Sequence, residues 1–148
     1  MKLTELQEAW KKDCVIDETN LGRAASRTPE LHAKYLNLLT SAKLQFRKAE
    51  SDYLKLRRIK YRYFRGELTR DELEALGWGQ YQGVKPIKNE MDEFLQTDED
   101  LLQSQDKLEY LRTVLLQLES ILKSLNSRTW DIKTVSYTHL TLPTNREV

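Results

Sequence analysis

Fourteen residues, Tyr53 to Gly66, hold six cations and four aromatic rings: Lys55, Arg57, Arg58, Lys60, Arg62 and Arg65 among Tyr53, Tyr61, Tyr63 and Phe64. Lysine and arginine neutralise phosphates and release their counterions, and a ring stacks on any base for about 1–3 kcal/mol. Bases are free to stack on a single strand and not inside a duplex. The stretch therefore reads as a single-stranded nucleic-acid site built from Lys55, Arg57, Arg58, Lys60, Tyr61, Arg62 and Arg65. On a helix Arg58, Arg62 and Arg65 share one face, with Lys60 and Tyr61 beside it. The plainer reading is a solvated basic face with Tyr53, Tyr63 and Phe64 in the core.

No other residues assemble a reactive set. His32 and His139 are far apart and Cys14 is the only cysteine, so neither a metal-ligand cluster nor a nucleophile–base pair can be drawn. No enzyme activity, cofactor or metal is expected. His32 reads as a helix-surface residue and Cys14 as a small packing residue. The acids Glu90, Asp92, Glu93, Asp98, Glu99 and Asp100 offer Mg²⁺ ligands to a nuclease, but they cluster at helix starts, where the macrodipole favours them. Gly77, Gly79 and Gly83 lack the Gly-Lys-Ser/Thr of a phosphate-cradling loop. Trp78 and Tyr81, in the same loop, read as anchors on neighbouring helices.

The elements that position the basic stretch are helical. Of 148 residues 39% are hydrophobic and 32% charged, with only five Gly and three Pro, a composition of one helical domain. The net charge of +1 conceals a segregation: ten Lys/Arg against three Asp/Glu from Lys43 to Arg70, then three Lys against eleven Asp/Glu from Asp71 to Glu109. A polyanion partner, and head-to-tail contact between copies, fit that division.

Leu3, Leu6 and Trp10 mark a short amphipathic helix to Asp13. Thr28-Pro29-Glu30 carries a cap, a first-turn proline and a dipole acid, and predicts the start of a long helix. Leu31, Tyr35, Leu38, Ala42, Phe46, Ala49, Tyr53, Leu56 and Tyr63 line one face of it until Gly66 breaks the run. Thr69-x-x-Glu72 is a capping box for a short helix through Leu76, and Ile87 to Gln96 predicts another. Thr97 is the expected cap of a last long helix. There Leu101, Leu108, Leu115 and Leu122 recur every seventh residue, beside Ser104, Leu111, Leu118 and Leu125. The seven leucines Leu101, Leu108, Leu111, Leu115, Leu118, Leu122 and Leu125 predict a seam for oligomerisation. Leu102, Leu116 and Ile121 widen it towards a bundle. The expected architecture is all-α: two long helices plus short ones, as the helical-bundle subunit of a homo-oligomer.

The N-terminal Met1-Lys2-Leu3-Thr4-Glu5 has no apolar signal region, no run spans a membrane, and the single cysteine fits a reducing compartment. The helical pattern ends near Lys133. Residues 135–148 resemble translated sequencing-adapter read-through, so the domain is expected to occupy residues 1–134, followed by an artefactual tail.

Several stretches together resemble a family. Met1-Lys2-Leu3-Thr4-Glu5-Leu6-Gln7-Glu8 with Lys11-Lys12-Asp13, then Ile16-Asp17-x-Thr19-x-Leu21, Tyr35-Leu36-Asn37, Tyr63-Phe64-Arg65-Gly66 and Ser127-Arg128-Thr129-Trp130-Asp131-Ile132-Lys133, are similar to the UvsY recombination mediators of T4-like bacteriophages. The resemblance runs from Met1 to about Lys133, apart from a divergent loop around Gly77 to Gly83. It implies a protein that binds single-stranded DNA and helps a RecA-like phage recombinase displace the phage single-strand-binding protein. It also implies a ring-like homo-oligomer in the cytoplasm of the infected bacterial host. The family's DNA-binding Lys-x-Arg pair falls on Arg58 and Lys60, with the residue types exchanged. The alternatives are a structural coiled-coil scaffold without a nucleic-acid role, and a metal-dependent nuclease using the acidic cluster.

Overall fold

The basic helix begins eight residues ahead of its proline's nominal position. In a computed structural model, which describes the backbone of residues 2–147 and the side chains of residues 2–132 and 134, it runs Leu21–Phe64 and contains Pro29. The physical start is Asn20, whose side-chain oxygen accepts the Arg23 N–H at 3.1 Å, as an N-cap does. Thr28 is not a cap. It is buried, and its hydroxyl donates to the Ala24 carbonyl at 2.9 Å. Pro29 leaves one ladder bond unmade, and the helix continues through it.

The chain order is α1 (Leu3–Asp13), α2 (Leu21–Phe64), α3 (Arg70–Leu76), α4 (Lys88–Thr97) and α5 (Glu99–Glu147), with no strand among the described residues. The expected all-α architecture of two long helices and shorter ones is observed. Thr69 caps α3 through the Glu72 N–H, and Gly77 closes it at φ 71°, the left-handed position that suits glycine. Thr97 does not cap α5. It ends α4 with its hydroxyl on the Glu93 carbonyl, and Asp98 takes the cap by accepting the Leu101 N–H at 3.1 Å. One extended residue therefore separates two helices. The α5 backbone continues to Glu147, past the expected stop near Lys133. The side chains of the expected tail lie outside the described residues.

The chain forms two units: Met1–Leu44 with Leu111–Val148, and Gln45–Tyr110. In the first, α1 and the segments of α2 and α5 bury Leu6, Leu31, Tyr35, Leu39, Ala42, Val114, Leu118, Ile121 and Leu125. The α5 stripe is Val114, Leu118, Ile121, Leu125, Arg128 and Ile132, a heptad seam with one of its two series a residue ahead of the expected Leu115/Leu122. Each large apolar side chain so buried contributes about 1.5–3 kcal/mol. In the second unit, α2 and α4 with the start of α5 enclose Phe64, Met91, Leu95 and Leu101. Tyr63, Trp78, Tyr81, Phe64 and Phe94 form a chain of ring contacts with centroids 5.2–5.8 Å apart. Trp78 and Tyr81 thus anchor their loop as expected. Cys14 is exposed, against its reading as a packing residue, with its thiol 3.4 Å from the Lys11 carbonyl.

Candidate nucleic-acid interface

The basic stretch is the last three turns of α2, and the second unit builds around it. Its seven candidate side chains do not form one face. Successive residues of an α-helix are about 100° apart, so Arg58 and Lys60 point almost oppositely. The structure separates them accordingly. Arg58 faces solvent, whereas Lys60 is only 7% exposed.

Lys60 is the centre of an ion cluster. Its ammonium lies 3.2 Å from Asp98 and 2.7 Å from Asp100, and 4.3 Å from the centroid of the Trp78 ring. Burial alone would lower its pKa. The hydrogen bonds to Asp100 and Asp98 outweigh that and raise it. Lys60 is thereby removed from the solvent-facing set, because its charge is spent inside the unit on the cap residue of α5 and the acid two positions on.

Other cations of the run also have acidic partners. Arg62 sits 2.9 Å from Glu72, Arg65 3.1 Å from Glu67, and Arg57 a looser 3.7 Å from Asp92. The Arg62 hydrogen bond holds the Glu72 carboxyl below its ordinary pKa. The charge segregation along the sequence is thus largely neutralised within one unit. Among the described residues Lys55 and Arg58 have no such partner and face solvent.

Arg58 lines a groove of about 300 Å³ between α2 and α4, together with Leu54, Arg57, Tyr61, Asp92 and Leu95. Tyr61 is 37% and Leu54 57% exposed. The Arg65 guanidinium donates to the Tyr61 hydroxyl at 3.3 Å and lies 5.6 Å from the ring centroid, which fixes the ring at the rim. An apolar floor, an exposed ring and two guanidinium groups can take a base and the phosphate beside it. The sequence reading included Arg57, Arg58 and Tyr61 and missed Leu54, Asp92 and Leu95. Leu54 had left a signal, being an apolar residue off the buried stripe of α2. Asp92 and Leu95 come from another helix and had left none.

The expected oligomerisation seam is divided. Leu101, Leu118 and Leu125 are buried inside the subunit and cannot meet another copy without unpacking it. Leu108, Leu111, Leu115 and Leu122 are half-buried, and Leu116 is exposed. α2 supplies much of the apolar cover that leucine spacing alone assigns to other chains. Among the described residues there is no group of His, Cys, Asp or Glu able to hold a metal, and no helix long and apolar enough to cross a membrane.

Comparison with known proteins points one way. The family model described as "Recombination, repair and ssDNA binding protein UvsY" matches residues 9–139. A curated relative, the recombination protein uvsY of Enterobacteria phage T4, is 30% identical over 133 residues, covering 90% of this chain and 91% of the relative. Two crystal forms of the bacteriophage T4 recombination mediator protein UvsY share the fold. The first has a TM-score of 0.83 and 28% identity over 95% of this chain and 97% of the other. The second has 0.80 and 26% over 95% and 99%.

Proposed function

This chain belongs to the UvsY family, and from that premise we propose that it is a recombination mediator that binds single-stranded DNA through the groove between α2 and α4. It carries out no catalytic step. It helps load a RecA-like phage recombinase onto strands covered by the phage single-strand-binding protein, acting as a homo-oligomer in the cytoplasm of the infected bacterial host. Residues 1–134 are assigned this role. Half-buried Leu108, Leu111, Leu115 and Leu122, with exposed Leu116 beside them, are the seam residues left to meet another copy.

The observation that carries the reading is the unpaired Arg58 beside the exposed Tyr61 and Leu54. Arg58 neutralises a phosphate, Tyr61 stacks on a base, and Leu54 and Leu95 give the base an apolar seat. Lys55 lies outside the groove and attracts the strand over a longer range. Arg57, Arg62 and Arg65 bind phosphate at the cost of their present carboxylate partners.

The test is titration of a labelled oligothymidylate, with a duplex of equal length as control. Tight single-strand binding that weakens steeply with salt, lost by roughly tenfold or more in Arg58→Ala/Tyr61→Ala at unchanged helicity, is expected. Equal affinity for duplex, or binding indifferent to salt and to both substitutions, would refute it. The scaffold reading has one observation in its favour: four of the seven candidates, Arg57, Lys60, Arg62 and Arg65, are already ion-paired. That reading requires no strand binding at all.

A further inference from the structure

The first unit contains a pocket of about 440 Å³ lined by Lys12, Val15, Asp17, Asn20, Arg23, Ala24, Arg27 and Arg128. Two neighbouring family-like stretches, around Lys12 and Asp17, meet here a third that is distant in sequence, around Arg128. We propose that this pocket is a second, separate anion site that takes a phosphate group.

The first support is Arg128. It is 6% exposed, and its Nη1 donates to the Asp13 carbonyl at 2.8 Å across a separation of 115 residues. Its buried Nε–H has no acceptor among the described residues, and no carboxylate there forms an ion pair with it. The Asp13 carboxylate attracts the guanidinium without pairing with it, and a buried charge that lacks a direct ion pair is costly. Burial, followed by repulsion from Arg27, lowers its pKa, although an arginine stays charged regardless. Arg128 lines the pocket, and a phosphate there would bring the close counter-charge that the guanidinium lacks.

The second support is the lining itself. Four cations, Lys12, Arg23, Arg27 and Arg128, face one carboxylate, Asp17. Asp17 opposes an anion, and it is turned towards its own loop by hydrogen bonds from the Thr19 N–H and hydroxyl. Arg27 is shared with buried Asp13 at 3.1 Å. Lys12 and Arg23 are exposed and have no ion-pair partner among the described residues. The third support is α2, a 44-residue helix whose N-terminus opens on the pocket at Asn20, Arg23 and Ala24. Asn20 accepts the N–H groups of Arg23 and Ala24. The positive end of the helix dipole and the adjoining arginines both favour an anion there.

The phosphate has two possible sources, a strand backbone or a free phosphate compound, and the experiment separates them. The full chain is labelled with ¹⁵N-arginine and the side-chain Nε–H resonances are followed. Inorganic phosphate is added at constant ionic strength, and in a parallel series an oligothymidylate lacking a terminal phosphate. The Arg128 Nε–H, buried and slow to exchange, is expected to shift and saturate. In Lys12→Gln/Arg23→Gln, which alters exposed residues only, the apparent affinity should fall roughly tenfold as two charge-assisted contacts are lost. A shift with both probes makes the ligand a strand phosphate, and a shift with phosphate alone makes it a free one. No shift, or an unsaturated drift shared by exposed arginines, overturns the proposal. Either result leaves the α2/α4 groove untouched, because binding there is read by Arg58→Ala.

Discussion

Each unit buries a charge ringed by groups of the opposite sign, Asp13 in the first, which also buries Arg128, and Lys60 in the second. In the first, Asp13 accepts hydrogen bonds from Arg27 at 3.1 Å, Lys34 at 2.7 Å and the Tyr35 hydroxyl at 2.7 Å. In the second, Lys60 is held by Asp98 and Asp100 against Trp78 and Tyr63. Around the acid, cations are in surplus, and Arg128 is left with a free donor. Around the base, acids are in surplus, and they continue outward to occupy Arg57 and Arg62. The same device therefore leaves one unit with an open cationic pocket and the other with a basic helix that is mostly neutralised. Density of cations in sequence is a poor guide to available charge, and the sign of the buried centre is a better one.

Breaking the base-centred cluster should have the largest effect. Lys60→Met keeps the side-chain length and leaves Asp98 buried beside the cap it forms, so the second unit should lose about 3–5 kcal/mol. Chemical denaturation of this variant checks it. A change within error would mean that Asp98 re-solvates freely and that Lys60 is available to a strand after all. The same result bears on any double substitution of Arg58 and Lys60: lost DNA binding there would reflect lost structure as well as lost charge.

Asp13→Asn breaks the acid-centred cluster more gently, because Lys34 and Arg27 are half-exposed and return to water. A cost of about 2–3 kcal/mol is expected. The sign with pH follows from the shifts. Burial raises the Asp13 pKa, but the hydrogen bonds from Lys34 and Tyr35 and the nearby charges outweigh it and set it below the ordinary 3.8. Its contribution is complete above 3.8 and is lost as pH falls through the lower folded value. Tyr35, pushed above its ordinary 10.0 by burial and by Asp13, contributes fully below pH 10 and loses that contribution only as pH rises through its folded value. Thermal melts across this range should show an acid limb that Asp13→Asn flattens.

Much of this was legible along the chain. The five helices, the Thr69 cap, the aromatic anchors and the basic run rest on local spacing, which a sequence displays directly. Helix α2 starts at Asn20 and not at Thr28 because asparagine caps at least as well as threonine and the helix accommodates Pro29 in its interior. The placement of Lys60 was half-legible, since two residues along a helix cannot share a face with Arg58, but its partners Asp98 and Asp100 come from a distant turn. The Arg128–Asp13 contact joins two ends of the sequence and no local pattern announces it. The α5 stripe shifted its register by one residue because the neighbours that bury Val114 and Ile121 are chosen by the fold and not by leucine spacing.

The smallest expected effect sharpens the comparison most. If acids around the basic helix restrain it, removing one should strengthen strand binding. Asp92 is the choice, because it lines the groove and pairs loosely with Arg57 at 3.7 Å, largely in solvent. An exposed pair of this kind is worth little to the fold, so Asp92→Asn should leave stability unchanged. Freeing Arg57 should raise single-strand affinity roughly twofold to fivefold, the range that one exposed ion pair spans. The salt dependence tells more than the affinity. Lys55 and Arg58 alone give a log–log slope of about −1.4, while recruitment of Arg57, Arg62 and Arg65 brings it to about −3.5. Asp92→Asn should steepen a shallow slope by about 0.7 and leave a steep one unchanged. A steep slope in the unaltered chain would mean that the strand already displaces the carboxylates. A shallow one that steepens in the variant would mean that they hold their arginines against it. If affinity and slope both stay fixed in a chain with a shallow slope, Arg57 does not meet the strand and the groove needs a different phosphate ligand.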